Sequence, residues 1–419
     1  MTVETNVTCE EYQLSLEQNK NLKDYEWGME IFGNLPIAMA GVFLNSVAVL
    51  VLSTSSMHGH FFNRLLSILA IFDTIYLSCE ISEVLRHIYS TSGQMYACTR
   101  FTYPVRNLCM FSSILMTNAL ALERYGALKN PVEYHNRASN NINRRLLYYV
   151  LPILTFSTVY YTPKFLELNV KDVISCTNDT NTSNLTILEE THTEVTKNVN
   201  CTTAYHLIPT ELRMNQHYVF WYMNVSNVLF TAIMPLCALG YLNFSVHKSL
   251  KGFMKRQPSQ QSNSSNGREN RKLDHVVNRT YIQFSIVVIF VLSHTLRIVL
   301  DINEFLNLDR FKLIQEKGCH NADKLWFRIA VPISQFLIIL SPSANFFIYS
   351  FFDPSFQNVL QECWISFKNM GQRVRENMDR LIRENMDMLR VDHYGQNIHS
   401  TINQTENIEL SNMNSNIRI

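Results

Sequence analysis

Asp, Glu, Lys and Arg are missing from long stretches of this chain, and the stretches recur along its length. None of the four occurs from Ile31 to Asn63, and Ile37 to Leu52 within that gap is almost wholly aliphatic. Residues 65–85 form a second apolar run, interrupted by Asp73 and carrying Glu80 and Glu83 near its end. Residues 107–122, 146–163, 214–247 and 280–296 are free of all four types, and 329–352 supply a seventh run. A charge at a bilayer centre costs about 2.5–3.5 kcal/mol on insertion scales, and a helix needs about 20 apolar residues to cross the hydrocarbon. The pattern therefore predicts an all-α membrane protein, a seven-transmembrane helix bundle, with spans near 34–55, 63–85, 104–125, 145–163, 217–247, 277–300 and 328–352.

After the last span, Phe352, Phe356, Val359, Leu360, Cys363 and Phe367 recur at helical spacing, which predicts a short amphipathic helix over 353–368 lying on the membrane surface. Cys363 is a candidate for lipidation there. Residues 369–419 form a tail in which R-E-N-M-D at 375–379 returns at 383–387, as part of a charged helix. Basic residues then set the orientation. Arg124, Lys129, Arg137, Arg144 and Arg145 crowd the third connection, and Lys248, Lys251, Lys255, Arg256, Arg268, Arg271, Lys272 and Arg279 crowd the fifth. Residues 1–33 hold Lys20 and Lys23 against seven acids. The N-terminus is expected outside and the tail in the cytoplasm, with the plasma membrane as the location. Residues 1–30 lack the basic start and apolar centre of a secretory leader, so the first span is expected to direct insertion. Sequons at Asn6, Asn178, Asn181, Asn184 and Asn200 fall in the outside segments and are the expected glycosylation sites.

Composition sharpens this picture. The chain has 419 residues, 47% apolar and 17% charged, below the roughly 25% charged of soluble domains. Lys plus Arg (36) nearly cancel Asp plus Glu (35), so no field favours nucleic acid. Gly-rich phosphate loops and C-x-x-C or H-E-x-x-H spacings are absent, so no nucleotide cofactor or metal centre is expected, and no catalytic residues are assigned. A seven-span transporter would show broken helices rich in Gly and Pro and similar halves. With Gly 12 and Pro 11 in the whole chain, that reading is disfavoured.

Polar residues inside the spans are expensive and are candidates for function. They are Asn45 in the first span, Asp73 in the second, Ser113 in the third ahead of Glu123-Arg124-Tyr125, and Asn345 with Tyr349 in the seventh. In that order the set resembles the rhodopsin-like (class A) G-protein-coupled receptors, over roughly residues 30–368. The resemblance implies that Glu123, Arg124, Tyr125, Asn345 and Tyr349 form a switch toward a heterotrimeric G protein. It also implies an allosteric sodium pocket at Asn45, Asp73, Ser113, Ser341 and Asn345. Two departures stand out. The family's N-P-x-x-Y reads Asn345-Phe346-Phe347-Ile348-Tyr349, with Pro342 three residues earlier to kink the helix instead. The acid that some relatives place at the start of the sixth helix to hold the arginine has no clear counterpart, Asp274 being near but poorly placed.

The sixth span reads Phe290-Val291-Leu292-Ser293-His294-Thr295-Leu296-Arg297, with His where the class has Trp and Leu where it has Pro. That row, with Arg297 and Glu304 seven apart on one helical face, resembles the invertebrate FMRFamide and myosuppressin receptors. Thr162 to Glu167 and Thr210 to Asn215 with Tyr218 look like the same group. The resemblance makes Phe290 and His294 the activation switch. It also implies a disulfide from Cys98 to the second outer loop, preferably to Cys201 and alternatively to Cys176. A bridge between Cys9 and Cys319 is a further expectation.

No acid sits in the outer half of the third span, Pro104-Val105-Arg106-Asn107-Leu108, which argues against an amine ligand. Glu80, Glu83, Arg106, Arg297, Asp301 and Glu304 are the candidate ligand contacts. Their carboxylates suggest an acidic mouth suited to a basic peptide, such as one ending in Arg-Phe-amide. The expected partners are thus an extracellular peptide, a G protein and membrane lipids.

Overall fold

The computed structural model describes residues 16–89, 93–129, 134, 142–177, 200–256, 267–306 and 325–383. Seven long helices make up the bundle: α1 (Glu17–Leu52), α2 (Phe61–Ile88), α3 (Gly93–Lys129), α4 (Ile142–Tyr161), α5 (Tyr218–Gly252), α6 (Gly267–Leu306) and α7 (Leu325–Phe352). All but α4 meet the length and apolarity needed to cross a membrane. With 20 residues, α4 rises about 30 Å at about 1.5 Å per residue, enough for a bilayer core. Arg144 and Arg145 in its first turn lower its hydropathy.

The helices outrun the charge gaps that mark them, because a helix can continue in water where charges cost little. The largest difference is at the N-terminus. Residues 16–33, expected as an outer polar segment, are helical and continuous with the first span. This extension is fastened to the start of α7: Arg328 binds Glu26 at 3.1 Å and Asn19 at 3.2 Å, and Tyr25 Oη donates to the Ile329 carbonyl at 3.3 Å. A π-type turn at Met29–Asn34 precedes Pro36, and two more, Tyr218–Ser226 and Val228–Ile233, precede Pro235. A proline ring clashes with the carbonyl four residues back, and a widened turn just ahead of it relieves the clash.

The central helix is α3, which meets α2, α4, α5 and α6, while α7 closes the bundle between α6 and α1. Ile114, Ala121, Leu239, Val287 and Phe290 form the core where α3, α5 and α6 converge. Gly41 sets the approach of α1 to its neighbours, since a Cβ there would lie 2.7 Å from Leu77 Cδ1 and closer still to Ser343. Large side chains such as Phe43, Phe244 and Leu292 point outward and are about 70% exposed, as a lipid-facing surface requires.

One element was not expected. Between α4 and α5, Leu168–Thr177 (β1) and Asn200–Pro209 (β2) pair antiparallel, with Leu168 opposite Pro209 and Cys176 opposite Cys201. The Tyr205 ring covers Gly93 so closely that a Cβ there would sit 2.6 Å from it.

The chain divides into units 1–357 and 358–419. A helix over 354–383, α8, starts where the amphipathic helix was expected but runs beyond 368, and every residue from 361 to 383 is exposed, Cys363 included. Asn6, Asn178, Asn181, Asn184, Cys9 and Cys319 lie outside the described residues, and Asn200 opens β2.

Candidate functional site

The bundle has a hairpin end, where β1 and β2 lie, and an Arg124 end. Near the hairpin end α2, α3, α5, α6 and α7 enclose a cavity of about 130 Å³. It brings together Glu80, Arg106, His294, Arg297 and Asp301 of the candidate set, with Tyr76, Asn227, Thr231 and Gln335 added. Glu80 is buried in the wall, with Arg106 at 3.4 Å and Gln335 Nε2 donating at 2.8 Å. Arg297 binds Asp301 at 2.9 Å. Two carboxylates thus face two guanidiniums, and the expected acidic mouth is instead a charge-balanced cavity. Arg297 takes Asp301 over Glu304 because a residue four ahead is one turn away, whereas seven ahead is two turns, about 10 Å of rise. Glu83 stands outside the lining, bound by Arg86 at 2.5 Å, and Glu304 does not line the cavity either.

The floor of this cavity is shared with a smaller one. Tyr76, Met110, Ile114, Phe290, His294 and Ile338 line both. His294 Nδ1 and the Phe290 carbonyl lie 3.0 Å apart, which makes Nδ1 the protonated nitrogen, and the two rings are 4.0 Å apart between centroids. Below them a cavity of about 30 Å³ has room for roughly one water-sized guest. Asp73 lies in its wall with both carboxylate oxygens engaged: Ser113 Oγ donates at 2.6 Å and Asn345 Nδ2 at 2.8 Å. Ser341 lines the same cavity. Asn45 does not reach Asp73. Its Nδ2 donates to the carbonyls of Gly41 at 2.9 Å and Pro342 at 3.1 Å, tying α1 to α7 at the proline. Tyr349 is buried, and its hydroxyl has no partner among the described residues. The oxygens of Asp73, Ser113, Ser341 and Asn345 are the donor set that a hard monovalent cation takes.

At the Arg124 end, Glu123 is the shared acceptor. Arg145 of α4 binds it at 2.8 Å, Tyr134 hydrogen-bonds it, and Tyr149 donates at 3.4 Å. Arg124 is farther, at 3.9 Å, and stacks on Phe62 with its guanidinium 4.0 Å from the ring centroid. The adjacent Phe61 carries Arg145 in the same way, at 4.4 Å. Arg124 Nε is buried without a partner among the described residues. Arg279 of α6 is close enough for its charge and that of Arg124 to repel. A cation therefore acts on Arg124 from the helix where some relatives of the resembling class carry an acid. Tyr125 lies at the same end, its ring 5.1 Å from the Lys129 ammonium.

Sequence reasoning passed over Arg145, Tyr134 and Tyr149, which read as loop charge and apolar filler. It also passed over Tyr76 and Gln335. Asparagine, serine and acid inside a span are conspicuous, whereas a tyrosine shows its polar end only once its neighbours are known. The segments around Glu167 do meet. Glu167 is buried, with Lys164 at 3.1 Å, Arg213 at 3.7 Å and Tyr218 Oη donating at 2.8 Å. Cys98, from which a bridge was expected, is exposed and free among the described residues. The hairpin register sets the backbones of Cys176 and Cys201 opposite each other. Among the described residues no cluster of His, Cys, Asp and Glu could hold a metal ion.

The sequence profile of the family described as serpentine type 7TM GPCR chemoreceptor Srw matches residues 33–363. An FMRFamide receptor of Drosophila melanogaster is 24% identical over 361 residues, which are 84% of this chain and 56% of that receptor. The chain thus spans little more than half the length of that relative.

Proposed function

Because this chain belongs to the Srw family of serpentine seven-transmembrane G-protein-coupled receptors, we propose that it is a rhodopsin-like (class A) receptor for an extracellular FMRFamide-like neuropeptide. In this reading it sits in the plasma membrane with its N-terminus outside and activates a heterotrimeric G protein. The family is one of receptors, and the chain acts by coupling two sites without catalysing a reaction.

The observation that carries the ligand reading is the charge-balanced cavity. A volume of about 130 Å³ suits one end of a peptide, well below the roughly 300 Å³ and more of a pocket that takes a whole drug-sized ligand. A ligand arginine competes with Arg297 for Asp301 and with Arg106 for Glu80, while an amide end meets Asn227, Thr231 and Gln335. A charge-assisted pair of this kind contributes about 1.5–3 kcal/mol, about ten- to a hundredfold in affinity. The likeness to an FMRFamide receptor supports the same ligand class.

Filling the cavity presses on its floor, where the Phe290 and His294 rings are in contact, tilted by 30°. The same two residues roof the Asp73 cavity, so displacing them changes the packing around Asp73, Ser113 and Asn345. We assign a sodium ion to that polar set as an allosteric ligand, with Asp73 supplying the charge and Ser113, Ser341 and Asn345 neutral oxygens. At the Arg124 end, Arg124 leaves Phe62 and offers its guanidinium to the G protein, with Tyr125, Asn345 and Tyr349 completing the switch.

A small chemical ligand is the second reading, favoured by the size of the cavity and by the chemoreceptor description of the family. Both are tested on the full chain in nanodiscs with a purified G protein. Phe-Met-Arg-Phe-amide is expected to stimulate nucleotide exchange, and the same peptide with a free carboxylate is expected to be far weaker. Silence with a panel of amidated peptides together with a response to a small molecule would overturn the peptide assignment in favour of the second reading.

A further inference from the structure

In the last turn of α2, His87 stands among three charged groups that do not line the ligand cavity. Its Nδ1 lies 2.7 Å from Glu30 Oε2 on the α1 extension, and its Nε2 lies 2.6 Å from Arg86 Nη2. A carboxylate only accepts a hydrogen bond and a guanidinium only donates one. Nδ1 therefore carries the hydrogen and Nε2 the lone pair, so the ring is neutral in this arrangement. The third group, Glu83, holds Arg86 Nη2 at 2.5 Å and lies 3.9 Å from His87 Nε2.

Arg86 leads from this cluster to the hairpin. Its guanidinium lies over the Tyr96 ring of α3, 5.3 Å from the centroid. The Tyr96 and Tyr205 ring centroids are 6.4 Å apart, and Tyr205, on β2, is the ring that covers Gly93. Glu30, His87, Arg86, Tyr96 and Tyr205 thus join α1, α2, α3 and β2 in one line of contacts. Among the described residues the ion pairs of His87 are with Glu30 and Glu83, and Arg86 is the cation against it.

We propose that His87 is a proton-binding site through which acidification at the hairpin end releases the hairpin from α2. Histidine side chains change charge between about pH 5 and 8. A proton added at Nε2 faces Arg86 Nη2, which cannot accept it, and sets two cations 2.6 Å apart. Nε2 then turns to Glu83, the acceptor one helical turn back. Repelled by the imidazolium and deprived of Glu83, Arg86 turns to water and leaves Tyr96. Glu30 keeps its bond to Nδ1 and gains an ion pair, so the α1 extension stays fastened while the hairpin loosens. The inference does not depend on which ligand the cavity takes.

The test is amide hydrogen exchange of β2 in the full chain in nanodiscs without ligand, at about pH 5 and about pH 8, with rates taken relative to those of free amides at the same pH. Relative exchange of β2 is expected to be about two- to fivefold faster at the lower pH, the factor that one cation–π contact contributes. His87→Gln keeps a donor for Glu30 and an acceptor for Arg86 but cannot gain a charge, so it is expected to show the slow relative rate at both pH values. His87→Lys carries the charge throughout and is expected to show the fast rate at both. Equal relative rates at the two pH values in the unaltered chain, a pH dependence that survives in His87→Gln, or slow exchange in His87→Lys would overturn the proposal.

Discussion

The two ends of the bundle handle buried charge in opposite ways. Near the hairpin, two carboxylates meet two guanidiniums, Glu80 with Arg106 and Asp301 with Arg297, and Gln335 adds a further donor to Glu80. At the Arg124 end one carboxylate, Glu123, serves two guanidiniums and two phenols, and Arg124 keeps an unpartnered Nε. The first arrangement is closed, and under the proposed function a ligand would enter it by exchanging one partner for another. The second lacks acceptors, and under the same proposal a partner offering carbonyls or carboxylates would complete it. In a low-dielectric bundle both differences weigh heavily, because an unmatched charge cannot be left to water.

The contrast can be broken most strongly at Glu80. Glu80→Ala leaves Arg106 in the wall without its acid, and its side chain is only 25% exposed. Removing one partner of a buried pair typically costs 3–5 kcal/mol, and the partial exposure of Arg106 brings the expectation to about 2–3 kcal/mol. Thermal unfolding in nanodiscs should register this, and an unchanged midpoint would mean that the pair is solvated. Arg145→Met comes next. It removes the closest cation from Glu123 while keeping apolar bulk on Phe61, with an expected loss of about 1–2 kcal/mol. Arg124 should then take over Glu123, so basal nucleotide exchange should fall. Unchanged or higher basal exchange would contradict the view that Arg145 keeps Arg124 disengaged. The smallest stability effect is expected for Asp301→Asn. Its partner Arg297 is 40% exposed, and such a pair contributes at most about 1 kcal/mol. Activation by an arginine-bearing peptide should weaken by about tenfold or more despite near-normal stability. A parallel loss of both would recast Asp301 as structural.

Absent charge marked the helices, because excluding Asp, Glu, Lys and Arg from a bilayer core is the strongest constraint on a spanning segment. It placed even α4, whose apolar stretch is short and begins after two arginines. The same signal stops at the membrane surface, so the α1 extension held by Arg328 went unseen, whereas the charged helix expected around the R-E-N-M-D repeat is present as far as 383, as the continuation of α8. The hairpin was missed as well. Val170, Val173 and Ile174 in β1 and Thr202 and Thr203 in β2 carry β-branched side chains, but they sat among sequons and acids in a segment read as loop. Asp73, Ser113 and Asn345 were legible as a cluster because polar atoms inside a span must meet one another. The acidic mouth was misread because acids were counted without asking which arginine each would face. Arg106 and Arg297 were both visible in the sequence, and only the bundle shows that they neutralise Glu80 and Asp301.

Coupling between the two ends is tested most directly by Arg124→Ala. In nanodiscs with a purified G protein, the unaltered chain should bind labelled Phe-Met-Arg-Phe-amide and accelerate nucleotide exchange. The variant should bind the same peptide with similar affinity, reach the same abundance, and give no stimulated exchange. Full stimulation by the variant would contradict the assignment of Arg124 as the group that the ligand-filled cavity presents to the G protein.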